Sequence, residues 1–112
     1  MAKFETKLNS DFDAFLSYLE NEILQGSISA QLEDASDYQT GDFRCAVRVF
    51  ERYSMIGDNR LSMSITLVGQ GEELFLSGIT SGGSKAVLLK INTIGEEAFL
   101  DKLIKAVKNY CN

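Results

Sequence analysis

Between Asp42 and Ser81 the chain holds three runs of alternating apolar and polar residues. They are broken by the glycine-bearing segments Ile56-Gly57-Asp58-Asn59 and Gly69-Gln70-Gly71-Glu72. Successive side chains of a strand point to opposite faces, so a period of two calls for a sheet with one packed face and one wet face. Tight turns between the runs make neighbouring strands antiparallel.

In the first run Phe43, Cys45, Val47, Val49, Tyr53 and Met55 share one face, which the pattern assigns to the core. Arg44, Arg48 and Arg52 share the other with Ala46, Phe50 and Ser54. The second run sets Leu61, Met63, Ile65 and Leu67 against Ser62, Ser64 and Thr66. The third, Leu74 to Thr80, is apolar on both sides, as a strand that is central or covered on both faces would be.

The flanks supply a further layer. Phe4, Thr6 and Leu8 alternate with Lys3, Glu5 and Lys7, which predicts a first strand. A helix follows, with Ser10 as N-cap, Asp11 and Asp13 in the first turn, and Gly26 as its stop. Phe12, Phe15, Leu16, Leu19 and Ile23 form its apolar stripe. Ile28, Ala30 and Leu32 read as a second strand, and Asp34 to Gly41 as a loop or ragged strand end. Ser81-Gly82-Gly83-Ser84 reads as a turn, and Val87, Leu89 and Ile91 as a last strand. Thr93-x-x-Glu96 fits a capping box that opens a second helix, with Phe99, Leu100, Leu103, Ile104 and Val107 as its stripe.

The order is therefore strand, helix, about five strands, helix, in one domain spanning residues 1–112. Two amphipathic helices must bury their stripes, and the apolar sheet face is the available surface. The expected fold class is α+β: a two-layer sandwich with an antiparallel sheet of about 5–6 strands and two helices on one face. That order is also helix-grip-like, an analogy that carries no function by itself.

Bulk properties narrow the function. A chain of 112 residues can bury about two thirds of its unfolded surface, so no metal or disulfide staple is required. The net charge of −5, with Lys and Arg scattered, argues against nucleic acid. No apolar run approaches the roughly 18 residues of a membrane span, and the charged start is unlike a signal peptide. Cys45 and Cys111 read as free thiols of a cytoplasmic protein.

The chain has no histidine, neither cysteine has a partner at metal-ligand spacing, and no glycine pair completes a phosphate-binding motif. No cofactor is expected. Ser81 to Lys85 could offer amides and a lysine to an anion but reads as a plain turn, and Met55 and Met63 read as core rather than cavity lining.

Two constellations remain. Arg44, Arg48 and Arg52, with Phe50 among them, suit recognition of an anionic ligand or an acidic partner, because guanidinium forks match carboxylate and phosphate. Residues four apart on a strand lie about 13 Å apart, so the outer two arginines are roughly 26 Å from each other and cannot converge on one small anion. A solvated face with cross-strand ion pairs, or a protein contact, suits that spacing better. Glu51 breaks the apolar side between Val49 and Tyr53. A buried lone carboxylate marks a functional site, whereas a strand that overhangs the core lets Glu51 reach water.

The stretch Phe43-Arg44-Cys45-Ala46-Val47-Arg48-Val49-Phe50-Glu51-Arg52-Tyr53-Ser54 resembles a small family of uncharacterised bacterial proteins, the domain of unknown function DUF6054. The resemblance continues through Thr80-Ser81-Gly82-Gly83-Ser84 and Asn92-Thr93-Ile94-Gly95-Glu96-Glu97-Ala98-Phe99-Leu100. It implies a free-standing bacterial protein and assigns no catalytic residue.

The leading expectation is a non-enzymatic binding or interaction domain, with a homodimer through the sheet face around Arg48 and Phe50 as one form. The alternatives are a carrier with an apolar cavity between sheet and helices, and an enzyme using Glu51 and Tyr53. Partners in view are protein, a second copy, or a small apolar or anionic ligand, and not nucleic acid or membrane.

Overall fold

The computed structural model describes residues 1–27, 29–54, 59–82 and 89–112. In chain order the elements are β1 (Ala2–Asn9), α1 (Phe12–Gln25), β2 (Gln31–Thr40), β3 (Phe43–Ser54), β4 (Asn59–Gln70), β5 (Glu73–Gly82) and α2 (Leu89–Cys111). The five strands form one sheet in the order β1-β5-β4-β3-β2, with every neighbouring pair antiparallel. Through α1 the chain passes from one edge of the sheet to the other, and β2 to β5 then return strand by strand until β5 meets β1. The fold is α+β, with both helices on one face.

The helix stripes go where their periodicity sends them. Phe12, Phe15, Leu16, Leu19 and Ile23 of α1 and Phe99, Leu100, Leu103, Ala106 and Val107 of α2 are buried. They meet Leu61, Met63, Ile65 and Leu67 of β4 and Leu74 and Leu76 of β5, one face of each strand. The helices also hold each other: Tyr18 donates its hydroxyl to the Ala106 carbonyl at 2.7 Å, and the Tyr110 ring sits 4.9 Å from Phe15 and 4.8 Å from Tyr18. Burial pushes the Tyr18 phenol above its ordinary pKa, with nearby Glu22 adding to the effect. Two glycines let the layers close. A Cβ on Gly78 would come within 2.3 Å of Leu103 Cδ2, and one on Gly69 within 2.6 Å of Leu74 Cδ2 and 2.9 Å of the Phe12 ring.

Several boundaries differ from the sequence expectation. Asp11, not Ser10, caps α1: its carboxylate accepts from the Ala14 amide at 2.9 Å, while the Ser10 hydroxyl lies 2.6 Å from that of Tyr110. The second strand begins at Gln31 and continues to Thr40, through the segment expected to be a loop. All ten of its residues are exposed, because β2 is an edge strand beyond the helix layer and has no core face to impose an alternation. Gly41 and Gly71, at φ +56° and +59°, make the turns that join β2 to β3 and β4 to β5. Leu89 and Ile91 lie in α2 rather than in a last strand, and Val87 falls outside the described residues. Since α2 starts at Leu89, Thr93 is inside the helix and not its cap. Ile28, residues 55–58 with Met55 among them, and residues 83–85 also fall outside the described residues.

The largest correction concerns β3. The arginine-bearing side faces the helices, and the side with Phe43, Cys45, Val47, Val49, Glu51 and Tyr53 faces away. Register is the reason. β3 pairs Ala46 with Leu67, Arg48 with Ile65, Phe50 with Met63 and Arg52 with Leu61, and directly paired residues share a face. The apolar set of β4 belongs under the helices, so it carries the even-numbered residues of β3 inward with it.

Candidate functional site

Each arginine of β3 meets a different part of the helix layer. Arg44 donates to Asp13 of α1 at 2.8 Å and lies 4.3 Å over the Phe12 ring. That hydrogen bond holds the Asp13 carboxyl below the usual aspartate range. Arg48 is buried, 9% exposed, and works as a staple. Its Nε reaches Glu20 of α1 at 3.4 Å, its Nη2 reaches Asp37 of β2 at 3.1 Å, and its Nη1 donates to the Val47 carbonyl at 3.0 Å. Arg52 lies 4.5 Å over the Phe99 ring of α2. Burial pulls its guanidinium below its ordinary pKa, and its Nε is enclosed with no hydrogen-bond partner among the described residues.

These arginines lie on the helix-packed side and not on a wet sheet face. Arg44 and Arg48 already hold carboxylates of the same chain, and Arg52 is stacked on a core phenylalanine. Phe50, expected on the wet side, is fully buried in the core. A planar guanidinium stacks on aromatic rings and keeps its donors at the rim, so an arginine can line a packed face that hydropathy assigns to water.

Glu51 lies on the face away from the helices, where it pairs with Arg60 of β4 at 2.9 Å. Arg60 in turn sits 5.4 Å over the Tyr53 ring and 3.9 Å from Glu33. Glu51 and Tyr53 are thus neighbours of one guanidinium on an open surface. They make an ion-pair cluster and not a cleft with a buried acid. Among the described residues no group of three or more Cys, Asp or Glu is placed to hold a metal.

The helix-free face is therefore the unexpected feature. Following the pairings across the sheet gives three central rows: Lys7–Phe75–Val68–Cys45–Tyr38, Glu5–Ser77–Thr66–Val47–Ser36, and Lys3–Ile79–Ser64–Val49–Asp34. Phe43, Cys45, Val47 and Val49 run without interruption down β3; Val68 and Phe75 continue the row of Cys45 across β4 and β5, while Ser64 separates Val49 from Ile79. Phe43 and Ile79 are 38% and 39% exposed, and Tyr38 on the edge is 61% exposed. At one end an open groove of ≈ 510 Å³ is lined in part by Lys7, Phe43, Val68, Gln70, Glu73 and Phe75. The sequence signal for this face was present in β5, apolar on both sides, and in the odd-numbered residues of β3. It was spent on assigning those residues to the core.

A two-layer α+β domain with a partly apolar sheet face that no described element covers is the class that fold and site define. The chain belongs to DUF6054, a family of unknown function whose model matches residues 1–111. No curated protein and no solved structure matches it significantly.

Proposed function

We propose that this protein is a non-enzymatic interaction domain whose contact surface is the helix-free face of the sheet. One observation carries this reading: the unbroken apolar file Phe43, Cys45, Val47 and Val49, continued across the sheet from Cys45 by Val68 and Phe75, has no described element over it. Contiguous apolar patches beyond a few hundred Å² are uncommon on proteins that act alone and mark contact sites. The surface moves from the arginine side of β3, where sequence placed it, to the opposite side.

Residence in the bacterial cytoplasm belongs to the same proposal. It is supported by the two free thiols of Cys45 and Cys111. No helix among the described residues is long and apolar enough to cross a membrane. A benzoylphenylalanine photo-crosslinker at Val49 should yield protein adducts in cells, whereas one at Asn21, exposed on α1, should not. Failure of the Val49 probe to form any adduct contradicts the proposal.

The groove beside Phe43 and Phe75 favours a second reading, a carrier of a small apolar ligand. Its site would lie on the open face; on the helix side a methyl group at Gly69 or Gly78 would already meet Leu74, Phe12 or Leu103. Saturable binding of an apolar fluorophore that Phe75→Glu abolishes would support it, and binding unchanged by that substitution would exclude it.

A further inference from the structure

We infer that the partner on the helix-free face is a second copy of this chain, packed sheet to sheet about a two-fold axis that runs along β4. This rests on the interaction reading above and names its occupant.

Charge placement selects the geometry. Lys3, Glu5 and Lys7 project from β1 at one edge of the face, a net positive edge, and Asp34 from β2 at the other; none has an ion-pair partner among the described residues, and Glu5 only accepts from the Ser77 hydroxyl at 3.4 Å. Lys3 and Asp34 end the same row, four strand spacings or about 19 Å apart, too far to pair within one chain. A closed dimer of aligned sheets built on one face places its two-fold axis close to the strand direction or across it. An axis across the strands sets Lys3 opposite Lys7 of the other copy, twice. It also sets Phe43 opposite the Glu51 end.

An axis along β4 reverses every row. Lys3 then faces Asp34 of the other copy, and Lys7 faces Tyr38, whose exposed ring suits a cation. Ile79 faces Val49, Phe75 faces Cys45, and Val68 meets its own copy on the axis. Opposite charges meet at both edges, while along the axis Thr66 and Ser64 join Val68 in meeting their own copies and Ser77 meets Val47, so a mixed apolar and hydroxyl-bearing centre lies inside a charged rim.

The size is sufficient. Five strands about 4.8 Å apart, over roughly 27 Å of strand, give about 650 Å² per copy and about 1,300 Å² in total, within the range of stable interfaces. Two aligned sheets pack about 10 Å apart. The interface would close the groove beside Phe75, so an apolar ligand there should compete with dimerisation.

The test is sedimentation equilibrium of the purified full chain. Wild type should weigh twice its 12.4 kDa chain mass. Lys3→Glu and Asp34→Lys should each weaken the dimer about tenfold, since each change affects two symmetry-related rim pairs. The combined Lys3→Glu/Asp34→Lys variant should recover most of that loss. Both substitutions are at exposed positions, and circular dichroism checks that each of the three variants folds. In a background of Cys45→Ser and Cys111→Ser, Val68→Cys should crosslink through a short bis-maleimide, and Ser17→Cys on α1 should not.

A wild-type monomer at every concentration overturns the inference, as does a dimer whose combined variant is no tighter than the singles. A monomer that still forms adducts through the Val49 photo-crosslinker with a different protein removes self-association but leaves the interaction reading standing. A monomer with no adducts removes both.

Discussion

Replacing Arg48 by alanine separates a structural arginine from a surface one. Its Nη1 bond to the Val47 carbonyl, at 3.0 Å, contributes about 1 kcal/mol. The pairs with Glu20 and Asp37 have side chains 27% and 59% exposed, and the first is long, so together they add only about 1 kcal/mol. Truncation also strips apolar stem atoms from a side chain that is nearly enclosed, worth roughly another 1–2 kcal/mol. The total is about 3 kcal/mol. Unfolding entropy for a chain this size converts that into a fall of about 12 °C in Tm. Urea or thermal unfolding followed by circular dichroism measures it, with the urea midpoint and slope recorded together so that a change in the denatured state is recognised. Arg48→Met keeps most of the stem and should lose about half as much. A loss under about 0.5 kcal/mol for the alanine variant, the scale of a solvated surface residue, would refute the placement of Arg48 under α1.

Three further outcomes follow from particular contacts. Gly78→Ala should cost about 1–3 kcal/mol in urea unfolding because its methyl group would meet Leu103, and Leu103→Ala should no longer show that added penalty in the double variant. The Asp13 carboxyl should titrate below 3.8 by NMR and return toward that value in Arg44→Gln. Because the folded-state pKa is lowered, its small stabilising contribution is present above about pH 3.8 and is lost as pH falls through the folded value. Tyr18→Phe should lower stability by about 1 kcal/mol by removing the hydroxyl that joins α1 to the Ala106 carbonyl, measured by thermal unfolding.

Much of the fold could be read from the residues, for identifiable physical reasons. α1, β4 and β5 declare themselves because each has a face that must be dry, and burial enforces the period that pattern reading detects. β2 could not be read in the same way. It is an exposed edge strand held by pairing to β3, by Arg48 on Asp37 and by Arg60 on Glu33, and none of these leaves a hydropathic rhythm. The start of α2 was misplaced because Leu89 and Ile91 alternate like a strand while lying in a helix.

β3 misled for a different reason. Its odd-numbered residues are the more apolar set, yet the neighbouring strand decides which way they turn. Hydropathy ranks each residue alone, whereas register couples Arg48 to Ile65 and Phe50 to Met63. Arginine is the residue type that allows this inversion, since its stem packs, its plane stacks on Phe12 or Phe99, and its donors reach Asp13, Glu20 and Asp37. The same inversion turns Val47 and Val49 outward and creates the surface proposed for contact.

The most direct measurement of that central claim compares two adjacent residues of β3, Ala46→Lys and Val47→Lys, by urea unfolding in dilute protein. Ala46 is 1% exposed beneath the helices, so its lysine variant should lose at least about 3 kcal/mol or fail to fold. The Val47 variant should stay within about 1 kcal/mol of wild type while its contact surface is spoiled. A tolerated lysine at 46 and an unfolded protein at 47 would contradict the account.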